Sequence, residues 1–191
     1  IASLKRVLRY LKHTANVGLK YDFSPATSAN VKTGLYGYYD AAHADCPDSM
    51  KSTLAYVFFF EGCPVSWHSK LHTYITTSTN HSEYCAAAKA AKEAKWWEKF
   101  FTEIGYTMFV RPIDLFSDSK GCIAMTRNPV QRSASKHIDL ADHYAREQQE
   151  RGTINISYVN TKDMRADALT KHLAYCDFKR HMSEMVHTVE L

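Results

Sequence analysis

The chain has 191 residues, 45% hydrophobic and 23% charged, which excludes intrinsic disorder and suits one domain with a short appendage. Its net charge of +4 and pI near 8.7 are compatible with a nucleic-acid partner without requiring one. The cysteines Cys46, Cys63, Cys85, Cys122 and Cys176 are widely spaced, odd in number and form no CxxC pair. That argues against a disulfide framework or structural zinc and for a reducing compartment, and no apolar run reaches membrane-spanning length.

The chain begins at Ile1 inside a helical pattern, without a signal-peptide signature, and reads as part of a longer polypeptide. "ASLKRVLRYLKHT" puts Leu4, Val7, Leu8 and Leu11 on one helical face and Lys5, Arg6, Arg9 and Lys12 on the other. A solvated basic face is the simpler reading of those charges, and contact with nucleic acid is the rival one. "YDFSPATSANVKT", from Tyr21 to Thr33, reads as a linker. "GLYGYYD", "STLAYVFFF" and "VSWHSK" read as strands on short connections, with "EGCP" as a turn, and so as an antiparallel meander.

A long helix follows. Asn80 suits an N-cap, with Glu83 three residues later as in a capping box. Tyr84, Ala87, Ala91, Ala94, Trp97, Phe101 and Ile104 make its apolar stripe, and Gly105 stops it. "PIDLFSD" is the next strand, and a short helix then runs to Arg127, ahead of Asn128-Pro129. "KHIDLADHYAREQQERG" reads as a helix with Ile138, Ala141, Ala145 and Gln148 near its buried side. His137 and His143 are six apart, not the spacing that sets two ligands on one helical face; His137 reads as a helix-start residue and His143 as a packed or surface one. "TINISYV" alternates as a strand, "RADALTKHL" opens a helix, and "FKRHMSEM" sets Phe178, Met182 and Met185 on one face of another. Segregated hairpins followed by β-α alternation predict an α/β fold, a mixed sheet covered by helices.

Four acids fall at element ends. Asp40 ends the first strand, Glu83 lies in the first turn of the long helix, Asp118 ends the fourth strand, and Asp167 opens the helix after the last strand. Sites on such sheets collect at the carboxyl ends of strands. Converging carboxylates would repel one another unless cations sat between them, and two hard, oxygen-liganded ions such as Mg²⁺ would relieve that. Each acid also has a plain reading: Glu83 in a capping box, Asp118 as a helix cap, Asp167 on a helix dipole, Asp40 as a loop-facing polar residue.

At these residues the chain resembles the ribonuclease H domain of copia-type LTR retrotransposon polyproteins. The family's "GYSDADWAGDPDDRKSTSGYVFF" corresponds to "GYYDAAHADCPDSMKSTLAYVFF", "PVSWKSK" to "PVSWHSK" and "SSTEAEY" to "STNHSEY". Likewise "CDNQSAI" corresponds to "SDSKGCI", "KHIDIRYHFIRE" to "KHIDLADHYARE" and "QLADILTK" to "MRADALTK". The first helix resembles the end of the family's reverse transcriptase, "KRILRYLKGT". The match covers nearly the whole chain, in order.

The resemblance implies a ribonuclease H-like fold, a five-stranded mixed sheet with helices on both faces. It implies that Asp40, Glu83, Asp118 and Asp167 are the catalytic, metal-binding acids, with Asp40 the best candidate to bridge two Mg²⁺ ions for which Mn²⁺ can substitute. Such ions stand about 3.5–4 Å apart, one activating a water and the other stabilising the leaving 3′ oxygen. The implied reaction is endonucleolytic hydrolysis of the RNA strand of an RNA–DNA hybrid during reverse transcription, leaving 5′-phosphate and 3′-hydroxyl ends. Asn80 resembles in position a substrate-contacting asparagine, with the N-cap as its rival role. Lys51, Lys70, Arg132 and Lys136 are candidates for phosphate contacts, or ordinary surface charges. Implied partners are the hybrid and the reverse transcriptase domain of the same polyprotein, with no membrane and no small-molecule cofactor, in cytoplasmic virus-like particles.

The expected division is 1–32 as the end of the reverse transcriptase and linker, 33–172 as the ribonuclease H domain, and 173–191 as a C-terminal helical tail. The chain departs from the family at Ala42, His43, Met50 and His81, and "VNTKDMRAD" lacks the mobile histidine loop of many bacterial and retroviral enzymes. The departures favour the alternative of a weak or inactive module that binds hybrid or supports the polymerase. A different nuclease on the same fold is a third reading.

Overall fold

The alternating stretches do form strands. The computed structural model describes residues 2–19, 21, 32–106, 109, 111–127, 143–183 and 185–188. A short strand β1 (Val17–Gly18) precedes β2 (Leu35–Ala42), β3 (Thr53–Phe60) and β4 (Cys63–Leu71), and β5 (Ile113–Ser117) and β6 (Ile154–Tyr158) follow, with β7 (His187–Thr188) last. β4-β3-β2-β5-β6 form one five-stranded sheet. β2, β3 and β4 are an antiparallel meander, whereas β5 lies parallel to both β2 and β6. The β3–β4 turn closes on Glu61 and Gly62, both at positive φ, which matches the twist of a tight hairpin.

The helices are α1 (Ala2–His13), α2 (Thr79–Glu103), α3 (Lys120–Arg127), α4 (Tyr144–Glu150), α5 (Asp167–Thr170) and α6 (Tyr175–Met182), with a 3₁₀ turn at Thr161–Asp163. Strand alternation sends Leu35, Tyr39 and Ala41 of β2, Leu54 and Phe58 of β3, and Ile113 and Leu115 of β5 into one core with α2, α3 and α4. Tyr36, Val57 and Phe59 face the other way, against Ala168, Leu169, Met182 and Met185. Helical segments therefore cover both faces, as the sequence predicts.

α2 departs from its predicted start. Ser78, not Asn80, is the N-cap, and its hydroxyl accepts from the His81 amide at 3.1 Å. The run Thr77-Ser78-Thr79-Asn80 offers several capping side chains, and the turn out of β4 selects Ser78. Glu83 is consequently too far along to close a capping box and points into the interior. The predicted stripe is buried at Tyr84, Ala87, Ala91, Ala94 and Phe101, but Ile104 lies beyond the helix and is 58% exposed. Ala86, Ala88 and Ala90 are buried too, because α2 is packed by the sheet on one side and by α3 and α4 on the other.

α1 is amphipathic as predicted, yet Leu4, Val7, Leu8 and Leu11 are exposed. Its Tyr10 ring meets Phe178 edge-on at 6.3 Å, and β1 pairs antiparallel with β7, so the two chain flanks meet. In the predicted helix around residue 138 the described part is α4, with Ala145 and Gln148 buried; Ile138, Ala141 and His137 lie outside the described residues.

Leu115→Ala should cost about 2–5 kcal/mol by emptying the core beneath α2, whereas Ile104→Ala should stay within about 0.5 kcal/mol. Urea unfolding of both variants checks this, and equal losses would contradict the burial described.

Candidate metal centre

The register of the sheet brings the acids together. Tyr36 and Tyr38 of β2 stand beside Asp114 and Phe116 of parallel β5, so two residues further along both chains are Asp40 and Asp118. β4 is antiparallel to β3, which is antiparallel to β2, so β4 ends at the same edge and α2 starts there with Glu83 in its first turns. β6 is parallel to β5 and leaves its chain at that edge as well, from which the 3₁₀ turn leads to Asp167 at the start of α5.

A ligand oxygen from each of Asp40, Glu83 and Asp118 lies within 4.8 Å of the others, and among the described residues this is the one such group of three or more. Asp40 is wholly buried and Glu83 nearly so. Glu83 Oε2 is buried with no hydrogen-bond partner among the described residues. Asp118 Oδ2 accepts the Thr161 hydroxyl at 2.7 Å. Asp167 is buried beside this group but outside it; its Oδ1 lies 2.7 Å from Lys171 Nζ, which also reaches Asp40 Oδ2 at 3.2 Å. The Thr170 hydroxyl donates to Asp40 Oδ2.

Burial raises the Glu83 carboxyl to about 9, repulsion from Asp40 and Asp118 adds to it, and Lys171 opposes it. Burial also lifts Asp167 to about 6, restrained by its hydrogen bond to Lys171 and pushed up by Asp40. Burial would depress Lys171, but Asp40 and Asp167 outweigh that and leave it above its ordinary value. A buried Glu83 oxygen without a donor among the described residues, facing the hard carboxylate oxygens of Asp40 and Asp118, fits a divalent cation.

The neighbouring residues have other work. Both oxygens of Asp45 are taken by Thr53, from its amide and its hydroxyl at 2.8 Å each, so Asp45 holds the turn before β3. His43 Nδ1 lies 3.1 Å from the Thr76 hydroxyl, and His143 Nδ1 lies 3.1 Å from the Tyr84 hydroxyl. Asn80, released from capping, is exposed and lies against the start of α3, where a Cβ on Gly121 would come within 2.5 Å of its Oδ1. Lys70 is exposed on the edge strand β4, and Lys51 is half-buried in the loop before β3. Arg132 and Lys136 lie outside the described residues. Thr161, Thr170 and Lys171 are the functional candidates that sequence reasoning missed. The last two sit inside the "ADALTK" motif, which was the available signal.

No family model matches the chain. It is 32% identical over 185 residues, 97% of its length, to the "Retrovirus-related Pol polyprotein from transposon RE1" of Arabidopsis thaliana. It is 32% identical over 169 residues, 88% of its length, to the corresponding polyprotein from transposon TNT 1-94 of Nicotiana tabacum. The chain spans 12% of the length of each of these relatives. Among solved structures, the N-terminal RNase H domain of rv2228c from Mycobacterium tuberculosis, a fusion with maltose binding protein, matches 80% of this chain and 98% of that one. The TM-score is 0.48 at 11% identity.

Glu83 has an ordinary value of 4.5 and a folded value of about 9, so its contribution to stability is complete below 4.5 and is lost as pH rises through 9. The metal-free protein should therefore lose Tm between pH 6 and 9. Mg²⁺ should restore more Tm at pH 9 than at pH 6, and Glu83→Gln should flatten the metal-free profile. Thermal melts in chelator and in Mg²⁺ read this out; a flat wild-type profile would refute it.

Proposed function

For a chain homologous over most of its length to the retrovirus-related Pol polyproteins of copia-like transposons, we propose the role of a metal-dependent ribonuclease H. It hydrolyses the RNA strand of RNA–DNA hybrids during reverse transcription. The observation that carries this reading is the meeting of Asp40, Glu83 and Asp118 from three separate elements, with Asp167 beside them. Residues 33–172 are the nuclease domain in this reading, 1–32 the end of the reverse transcriptase with its linker, and 173–191 a helical tail.

Divalent ions, Mg²⁺ or Mn²⁺, held by Asp40, Glu83, Asp118 and Asp167 would supply activation of the attacking water and neutralisation of charge at the leaving 3′ oxygen. The chain's own residues set up that chemistry. Asp40 shares its place with Glu83 and Asp118, and the Thr170 hydroxyl fixes its direction. Thr161 fixes Asp118 from the turn after β6. Glu83 must release its proton before it can serve as a ligand, which couples metal binding to pH.

Asn80, exposed at the start of α2, is placed to present its amide to a 2′-hydroxyl in the shallow minor groove of a hybrid. Lys51 and Lys70, with Arg132 and Lys136, are assigned to phosphates. The exposed apolar face of α1 is the surface offered to the polymerase domain of the same polyprotein. No helix among the described residues is long and apolar enough to cross a membrane. The homology to retrotransposon Pol polyproteins assigns the work to a cytoplasmic virus-like particle.

Incubated with a labelled hybrid and Mg²⁺, the protein should cut the RNA strand to 5′-phosphate ends and leave duplex DNA intact. Asp118→Asn should lower the rate by more than about a hundredfold, because even partners of metal ligands are worth about 10–100-fold. Hybrid that is bound but never cut, by folded protein with either ion, would select the inactive binding module instead.

A further inference from the structure

Among the described residues, Lys171 is the one cation that the structure places between two of the four acids. Its ammonium lies 2.7 Å from Asp167 Oδ1, and 3.3 Å and 3.2 Å from Asp40 Oδ1 and Oδ2. It ends the same short helix that Asp167 begins, so one turn delivers both the acid and its counter-charge. Glu83 and Asp118 have no comparable contact with it. The four acids thus divide into a three-acid group open to a cation and an Asp40–Lys171–Asp167 bridge, with Asp40 common to both.

The bridge is reversible in form. An ammonium is a single charge on a flexible stem, unlike the rigid fork of an arginine. The Lys171 side chain is 38% exposed, and it lines a groove of about 1170 Å³ together with Arg6, Tyr10, His172 and Tyr175. The groove gives the side chain open space beside the acids into which to turn.

We infer that Lys171 is the resident counter-ion of the Asp40–Asp167 side, and that a divalent ion binding there must displace it. This rests on the reading of the acids as a metal centre. The two divalent positions are then unequal. The three-acid group fills first, and the Asp40–Asp167 position fills at higher concentration, because its ion competes with a covalently tethered cation. Displacement frees the ammonium into the groove beside the reacting centre, where an anion such as a phosphate can take it. The domain thereby offsets part of the charge of Asp40 and Asp167 before the metal arrives.

Mn²⁺ titration by calorimetry and by electron paramagnetic resonance, without substrate, tests this on the full chain and three variants. Wild type should bind two ions, the second at least about tenfold more weakly. Lys171→Met should tighten the second affinity by about tenfold and leave the first within about twofold, while lowering the Tm of the metal-free protein. Lys171→Arg, which keeps a cation, should hold the second affinity within about threefold of wild type. If Lys171→Met does not fold, Lys171→Gln takes its place under the same expectation. An unchanged or weakened second affinity in the neutral variant overturns the inference alone. No Mn²⁺ bound by wild type, or binding that Asp118→Asn leaves untouched, overturns the metal-centre reading itself.

Discussion

The structure is organised around the repulsion between buried carboxylates at one edge of its sheet. Asp40 is fully enclosed, Glu83 and Asp167 are nearly so, and all three stand close to Asp118. Taking several negative charges from water into such a place is unfavourable unless protons or cations compensate. The molecule uses both. Glu83 is held as the neutral acid up to about 9, and Lys171 offsets one of the two charges of the Asp40–Asp167 pair. A centre of this kind trades stability for a strong demand for cations, which suits the metal-dependent nuclease proposed above.

The topology makes that concentration of charge unavoidable. β2 and β5 run parallel and in register, so residues two past the last paired positions are neighbours whatever their identity. The meander brings the chain back to the same edge to start α2, and β6 ends there to start the turn before α5. Four separate stretches are therefore delivered to one place by strand direction alone. Gly37 shows how little slack the arrangement has: a Cβ there would sit 3.0 Å from the Phe58 ring and 3.2 Å from Leu115. The strand that carries Asp40 is pressed onto its neighbours on the face that α2 covers.

The elements were legible because their periods differ: β2 and β3 alternate, and α2 carries Tyr84, Ala87, Ala91 and Ala94 at helical spacing. The four acids were legible as residues at element ends, and the family resemblance sharpened that pattern. The exact cap was not, since Ser78, Thr79 and Asn80 are chemically alike in this role and only the path of the turn separates them. The partners of Asp40 were not either. Thr170 and Lys171 lie 130 and 131 positions away and reach it through the fold, not through any local spacing. The β1–β7 pairing is two residues long and carries no periodic signal at all.

His43 and Asp45 illustrate the same limit from the other side. Within the sequence they crowd Asp40 and suggest a local ligand set, yet strand geometry turns them to other tasks. Asp45 spends both oxygens on Thr53, and His43 joins Thr76 in the loop ahead of α2. The chain's departures from the family motifs at Ala42, His43 and His81 thus fall beside the four acids and not on them. Ala42 is buried at the end of β2, and His81 donates its amide to the Ser78 cap that sets where α2 begins. That amide bond survives any side chain, whereas the His81 imidazole also meets the Thr77 amide and hydroxyl in the turn leading into α2, the helix that carries Glu83. The acids can be fully retained while the residues beside them still decide how well they are aimed.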